Sequence, residues 1–181
     1  MLVPAEVWTV AKAEQGSAVL IRPVGSEVAV PIMIGQPEAQ AIMIGLANHT
    51  MPRPLTHDLL ISVLKQINAP ISRIEITELK NGTFYGRLVL SQGGKDVSID
   101  SRPSDCIALA VRVKCPIYID ELVVDEAGIS VNIINEVATS ASRDEEAQSL
   151  KEKLDRAVED ENYEEAARLR DQLKKLEENN P

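Results

Sequence analysis

The chain has 181 residues, enough to bury one core and carry an appendage. Hydrophobic residues make up 44% and charged residues 26%, which is typical of a soluble globular protein, while aromatic residues make up only 3%. With 28 Asp and Glu against 19 Lys and Arg, the net charge of −9 excludes a protein that binds nucleic acid through a broad basic surface.

The first third of the chain predicts a three-stranded meander followed by a helix. Residues 6–12, 17–22 and 27–34 are rich in Val and Ile and are separated by Gly-containing turns. Residues 35–38 carry Pro and Glu, as helix starts do, and the apolar run 39–46 continues the helix. This apolar helix is a candidate subunit interface.

The middle of the chain predicts a second helix and a hairpin. Thr56 is the expected cap of a helix that runs to about residue 67. Residues 71–79 and 83–90 alternate like strands and are joined by Asn81-Gly82, a strong hairpin signal because both residues tolerate positive φ.

The remainder of the main domain predicts a short strand, a third helix and two final strands. The strand covers residues 95–100, the helix covers 103–113, and the last strands cover 116–119 and 129–134. Together these elements predict an α+β fold with a mixed, mainly antiparallel sheet and three helices.

A two-helix hairpin is predicted at the C-terminus. Residues 138–142 are small and polar, which predicts a linker, 138–148, after a domain covering 1–137. Apolar residues then recur at spacings of three and four on both sides of a turn at 160–162, which predicts a helical hairpin over 149–178. The predicted seam consists of Leu150, Leu154, Ala157, Ala166, Leu169, Leu173 and Leu176.

Cysteine usage and the N-terminus predict a cytoplasmic protein without a membrane partner. Cys106 and Cys115 form neither a disulfide framework nor a metal motif, and they fit reduced thiols. Residues 1–10 lack the pattern of a signal peptide, and no window approaches the roughly 18 apolar residues of a membrane span.

Two Arg-Pro motifs hold most of the reactive side chains. One is Arg53-Pro54-Leu55-Thr56-His57-Asp58, and the other is Asp100-Ser101-Arg102-Pro103-Ser104-Asp105. Each precedes an apolar helical run, and Pro, hydroxyl residues and Asp favour helix starts. If the two helix starts meet, they bring together carboxylates, an imidazole and two guanidinium groups.

Such a cluster has the groups that phosphodiester cleavage needs. Asp58, Asp100 and Asp105 offer hard oxygen ligands suited to Mg²⁺ or Mn²⁺. His57 is a candidate general base or nitrogen ligand. Arg53 and Arg102 are candidate clamps for phosphate oxygens.

A purely structural interpretation of the same residues stays open. Acids in the first turn of a helix are favoured by capping and by the helix dipole alone. Arg53 and Arg102 would then pair with Asp58 and Asp105, and His57 would be a hydrogen-bonded structural residue.

The main domain resembles the bifunctional nuclease family, also called the DNase/RNase-like domain. The similarity runs in register from about residue 5 to 137. It is carried by Val30-Pro31-Ile32-Met33-Ile34-Gly35 with Glu38-Ala39, by the two Arg-Pro motifs, by Thr83-Phe84-Tyr85 and by Ile107-Ala108-Leu109-Ala110. The resemblance implies a nuclease that acts on DNA and RNA and forms dimers or larger homo-oligomers.

The tail resembles the UVR motif, first named in excision-repair nuclease subunits. The matching run extends from Leu154 to Leu176, with Tyr163-Glu164-Glu165-Ala166-Ala167-Arg168-Leu169-Arg170-Asp171 at its centre. The resemblance implies a helical hairpin for protein–protein contact.

Two functional hypotheses follow. The first is a metal-assisted nuclease, with catalytic residues Arg53, His57, Asp58, Arg102 and Asp105, that docks on a partner protein through residues 149–178. The second is a non-catalytic adaptor or regulator in DNA repair or protein quality control, which the acidic composition and the tail favour.

Overall fold

In the computed structural model, residues 1–13, 16–49 and 51–178 are described, with side chains described outside 13, 137–146 and 175–178. The chain divides into two compact units, Met1–Val131 and Asn132–Pro181. None of the helices within the described ranges is both long and apolar enough to cross a membrane.

Within the described residues, the first unit contains one eight-stranded sheet. The strands are β1 Leu2–Ala13, β2 Gly16–Pro23, β3 Val28–Ile34, β4 Ile71–Lys80, β5 Thr83–Gln92, β6 Lys95–Ser101, β7 Ile117–Asp120 and β8 Ile129–Ser130. Their order across the sheet is β6-β5-β4-β7-β1-β2-β3-β8, and β4 and β7 form the one parallel pair among them. This confirms the predicted α+β fold with a mainly antiparallel sheet.

Six helices are described. They are α1 Gln36–Leu46, α2 Thr56–Gln66, α3 Pro103–Val113, α4 Glu121–Ala127, α5 Val131–Glu159 and α6 Tyr163–Glu178. The predicted meander is β1-β2-β3, and the predicted hairpin is β4-β5, where Asn81 has φ 51° and Gly82 has φ 74°.

Helix α3 is the central helix of the core. Residues 106–110 are almost completely buried, at 0–2% exposure, and pack with residues of β2, β3, β4 and α1. Strand β5 passes directly beneath the start of α3. The two backbones are so close that a Cβ added at Gly86 would lie 3.2 Å from backbone atoms of Pro103. This close contact fixes where Arg102 and Asp105 project.

Three details differ from the sequence predictions. Thr56 is the first residue of α2 rather than its cap; Leu55 is the N-cap, and its N–H donates to Asp58 Oδ2 at 2.9 Å. The predicted strand at 129–134 ends at Ser130, since α5 begins at Val131. Helix α4 was not predicted, although Asp120 caps it by accepting a hydrogen bond from the N–H of Leu122 at 3.0 Å.

The second unit contains the predicted helical hairpin. Ala157, Ala166 and Leu169 are buried at its seam, and Leu150 and Leu154 pack against them. The predicted turn lies between α5 and α6, and Asn162 Oδ1 accepts from the N–H of Glu165 at 3.3 Å. The side chain of Leu176 lies outside the described residues. The boundaries 1–137, 138–148 and 149–178 stay predictions, and α5 runs through all of 138–148.

Candidate functional site

The starts of α2 and α3 meet, which was the condition for a common polar site of the two Arg-Pro motifs. His57, in the first turn of α2, places its Nε2 atom 3.8 Å from Oδ1 of Asp105, in the first turn of α3. The His57 side chain is 20% exposed and that of Asp105 is 35% exposed, so the pair lies at the surface end of the helices.

Arg102 holds Asp105 in place from the N-cap of α3. Its Nε donates to Asp105 Oδ2 at 2.8 Å and its Nη2 donates to Asp105 Oδ1 at 3.2 Å, a bidentate pair. Its Nη1 donates to Glu38 Oε1 at 3.0 Å, which connects α1 to the cluster. The hydrogen bonds to Asp105 are the largest influence on the pKa of Arg102. Together with the hydrogen bond to Glu38 they raise it above its ordinary value.

Asp58 belongs to a separate set of contacts. Its Oδ2 accepts from the Leu55 N–H, and its Oδ1 accepts from Arg112 Nε at 3.1 Å. Arg112 is 8% exposed and also donates from Nη1 to the carbonyl oxygens of Ala41, at 2.9 Å, and Ala108, at 2.7 Å. Arg112 thus connects α1, α2 and α3 behind the site.

The structure does not bring Arg53 and Asp100 into this cluster. The side chains of both are exposed, and neither makes an ion pair or hydrogen bond with any residue that the structure describes. Asp100 lies on β6 opposite Arg87 of β5. Both remain predicted site residues without a contact that supports the assignment.

The predicted metal ligands do not converge. In the described part of the chain, no three His, Cys, Asp or Glu side chains come together as a metal site would require. Asp58 is occupied by Arg112 and Leu55, and Asp105 is occupied by Arg102. The set Asp58, Asp100 and Asp105 therefore does not fit Mg²⁺ or Mn²⁺ in this arrangement, and the metal stays a prediction.

Burial and charge keep His57 in its neutral form. Burial is the largest influence that lowers the pKa of His57, and the nearby Arg112 cation lowers it further, while Asp105 and Asp58 act in the opposite direction. Because the result lies below the ordinary histidine pKa of about 6.5, the imidazole is uncharged at pH 7. It can therefore accept a proton.

Cys106 does not contribute a nucleophile. Its side chain is fully buried, and burial raises the pKa of its thiol to about 11. A buried thiol with so high a pKa is inert at neutral pH.

Two residues that contact this cluster were not predicted as site residues from the sequence. Glu38 was attributed to the start of α1, and Arg112 was not singled out. Acidity in a first helical turn gives a weak signal for Glu38, but the sequence offers none for Arg112, because its partners are set by how the three helices pack.

Comparison with known proteins gives matches in both units. The family model of the bifunctional nuclease domain matches residues 19–132, and the model of the UvrB/uvrC motif matches residues 144–179. An uncharacterized protein of Mycobacterium tuberculosis is 37% identical over 137 residues, which cover 75% of this chain and 82% of that protein.

Plant proteins are also similar. Bifunctional nuclease 1 of Arabidopsis thaliana is 25% identical over 170 residues, 82% of this chain and 52% of that protein. Bifunctional nuclease 1 of Oryza sativa subsp. japonica is 28% identical over 110 residues, 59% of this chain and 33% of that protein. The similarity thus spans about a third to a half of these plant proteins' length.

Proposed function

The chain belongs to the bifunctional nuclease domain family, and from this premise we propose that it is a nuclease that cleaves phosphodiester bonds of DNA and RNA. The single observation that carries the proposal is the meeting of His57 and Asp105 at the starts of two helices, with Arg102 holding the carboxylate. Family membership supplies the reaction class, and the cluster supplies the groups.

His57 is the proposed general base. A neutral imidazole 20% exposed to solvent can take the proton of an attacking water or of a ribose 2′-hydroxyl. The Asp105 carboxylate, 3.8 Å from Nε2, stabilises the imidazolium that results. This order of roles needs His57 to be neutral at the start, as its lowered pKa provides.

Arg102 and Arg53 are the proposed phosphate ligands. The Arg102 side chain is 66% exposed. A guanidinium has five N–H groups, and Arg102 donates three of them to the carboxylates of Glu38 and Asp105. Its other two N–H groups are open to a phosphate. The exposed Arg53 lies three residues before the start of α2 and adds a second positive charge near this helix start. On a chain of net charge −9, phosphate affinity has to come from such local cations.

The test is a cleavage assay on single-stranded RNA and duplex DNA with Mg²⁺, with Mn²⁺ and with EDTA. We expect His57→Asn to lower kcat by about 10²- to 10⁴-fold, the usual contribution of a general base. Wild-type activity should fall as the pH drops through the lowered pKa of His57 and be insensitive to pH near 7, since the neutral form is the active one.

His49→Asn is the matched control, because His49 is the chain's other histidine and is exposed outside the cluster. Equal cleavage by wild type and folded His57→Asn would remove His57 from catalysis. The Asp58→Asn and Asp105→Asn variants test the metal prediction, since asparagine keeps an oxygen but removes the charge that a divalent cation requires. A cation requirement that neither variant changes would place the metal elsewhere.

The adaptor hypothesis is the second candidate. The match of the C-terminal unit to the UvrB/uvrC motif favours it, and so do the carboxylates of Asp58 and Asp105, which are already paired with arginines. On this alternative the tail, 149–178, binds a protein partner and the main unit has no catalytic role. Absence of cleavage by wild type under every cation condition would favour the adaptor.

The proposed setting is a bacterial cytoplasm. Cys106 and Cys115 are both free thiols, as in reducing compartments, and one similar protein comes from Mycobacterium tuberculosis.

A further inference from the structure

A groove opens beside the start of α3, next to the cluster, and its lining includes no residue of α2. It has a volume of about 320 Å³. We call it the β3–α3 groove. It is lined by Ile32, Met33, Ile34, Gly35, Glu38, Gly82, Thr83, Phe84, Arg102, Pro103 and Ser104. The proposed function assigns no role to its apolar part.

Ser104 is a buried polar residue with an unused hydroxyl at this groove. The residue is 7% exposed, and its side chain makes no hydrogen bond with any described residue. Among the described side chains, Arg112 Nη2 is the one fully buried polar atom without a hydrogen-bond partner. The unpartnered Ser104 Oγ is therefore not fully buried and keeps some solvent access. An unpartnered hydroxyl that is open to a groove offers a donor and an acceptor to a ligand.

Glu38 offers an acceptor on the opposite wall. Its Oε1 accepts from Arg102 Nη1, whereas its Oε2 makes no hydrogen bond within the described residues. The Glu38 side chain is 22% exposed and lines the groove. Gly35 leaves room for this oxygen, since a Cβ there would lie 2.5 Å from it.

The charge around the groove disfavours an anion. The carboxylates of Glu38 and Asp105 together outweigh the single guanidinium of Arg102, to which both are bonded. A phosphate inside the groove would meet the Glu38 carboxylate, and the N–H groups that Arg102 directs to Glu38 and Asp105 are already in use, which leaves its two open N–H groups for a phosphate. A neutral ligand with both donors and acceptors is therefore favoured.

Apolar side chains supply a surface for a flat ring. Met33 is 55% exposed, and Phe84 and Pro103 also line the groove. Planar bases bind such surfaces through stacking and apolar contact, with little dependence on sequence.

We propose that the β3–α3 groove binds one unpaired nucleobase of the substrate, with the base against Met33 and its edge hydrogen-bonded to Ser104 and Glu38. This inference rests on the proposed nuclease function and extends it, because it makes single-stranded nucleic acid the preferred substrate. A base held here leaves its own phosphate free to reach the exposed face of Arg102.

The test is the binding of cytidine and guanosine to the full chain, followed by NMR chemical shifts and by calorimetry, with inorganic phosphate as a separate probe. Both nucleosides should bind in the groove, whereas any phosphate binding at Arg102 should be unchanged by Ser104→Ala and by Met33→Ala. Ser104→Ala should weaken nucleoside binding about three- to tenfold, the usual effect of one lost hydrogen bond. Met33→Ala should weaken it at least about threefold through lost apolar contact.

The matched controls are Ser98→Ala, an exposed serine of β6, and Met43→Ala, an exposed methionine of α1 outside the groove; neither should change binding. Absence of nucleoside binding to wild type would overturn the proposal, as would binding that Ser104→Ala and Met33→Ala leave unchanged. Phosphate binding that is lost in Ser104→Ala would make the groove an anion site instead. A nucleoside has no phosphodiester bond, so its binding is measured independently of cleavage. Nucleoside binding without nuclease activity would support the groove proposal and contradict the nuclease function. Nuclease activity without nucleoside binding would support the nuclease function and contradict the groove proposal.

Discussion

At the scale of single residues, two aspartates in similar motifs serve different purposes. Asp58 and Asp105 are both the third residue of their helix. Asp58 accepts from the backbone N–H of its N-cap residue and from Arg112 of α3, whereas Asp105 pairs with the side chain of its own N-cap residue, Arg102. The difference lies at the N-cap residue. Leu55 has an apolar side chain and offers only its backbone N–H to Asp58, whereas the Arg102 side chain donates to Asp105 from two nitrogens. Proline one position after the cap in α3, but one before it in α2, sets this register.

Arg112 is the residue whose loss we expect to be most costly near the site. Arg112→Ala removes a side chain that is 8% exposed, together with its bonds to Asp58, Ala41 and Ala108. Breaking a buried pair costs about 3–5 kcal/mol, and because the Asp58 side chain is 37% exposed we expect a loss of unfolding free energy of about 2–3 kcal/mol. Urea denaturation measures it.

Arg22→Ala is the matched control for that measurement. Arg22 also bonds a carboxylate closely, with Nη2 donating to Glu6 Oε1 at 2.6 Å, but the two side chains are 28% and 48% exposed. A pair this exposed contributes about 0–1 kcal/mol. Equal effects of the two substitutions would contradict the role assigned to Arg112.

The residues of the site were predictable in proportion to how local their contacts are. Arg102 and Asp105 are three residues apart, and their pairing follows from the motif alone. The approach of His57 was predicted only on the condition that two helix starts meet. Glu38 and Arg112 bond to residues 64 and 54 positions away, so their partners are fixed by packing that the sequence pattern does not contain.

At the scale of elements, α2 has an apolar stripe that the first unit leaves exposed. Leu59, Val63 and Ile67 follow one another at spacings of four, with Leu60 beside them, and they are 60%, 47%, 54% and 41% exposed. The core-facing residues of α2 are instead Leu64 and the partly buried Ile61. Exposed apolar patches of this kind mark interaction surfaces.

We expect this stripe to join two copies of the chain. The stripe carries no charge, so two copies of a chain with net charge −9 can meet there without like-charge contact. Val63→Glu should convert the homo-oligomer to a monomer in size-exclusion chromatography with light scattering. Ser62→Glu, an exposed neighbour on the polar face of α2, should leave the oligomer intact.

A monomeric wild type would contradict that expectation, and with it the predicted homo-oligomer. The sequence had favoured residues 39–46 of α1 as the interface, because that run is apolar throughout. In the structure, Ala39, Ile42 and Gly45 of α1 face the core, which leaves Met43 and Leu46 exposed. Four exposed large apolar side chains at α2 thus compare with two on α1.

Elements with local signals were predicted well, and elements with weak or mixed signals were not. The predicted third helix, 103–113, matches α3, since Pro103 marks its start. Ile129–Ser130 and the first turns of α5 are both rich in Ile and Val, so composition alone did not separate strand from helix. Helix α4 has seven residues, too few for a clear helical period.

At the scale of the whole molecule, the two units differ in how they are stabilised. The first unit contains the sheet and a core of fully buried aliphatic residues such as Ile21, Ile74 and Ile119. Among its described side chains, the hairpin buries mainly Ala157, Ala166 and Leu169 at its seam. So few buried side chains contribute little stability, which is why a hairpin of this size benefits from a partner surface.

We therefore expect residues 1–137 to fold and to cleave nucleic acid without the tail. The compact unit Met1–Val131 lies entirely within this fragment, and so do Glu38, His57, Arg102 and Asp105. Cleavage per molecule should equal that of the full chain within about twofold, because a domain with its own core keeps its site. Circular dichroism and the nuclease assay measure the two parts of the prediction on one preparation. A fragment that folds but loses cleavage would make the tail part of the active unit, whereas one that keeps cleavage but no longer binds a protein that the full chain binds would assign the tail to docking.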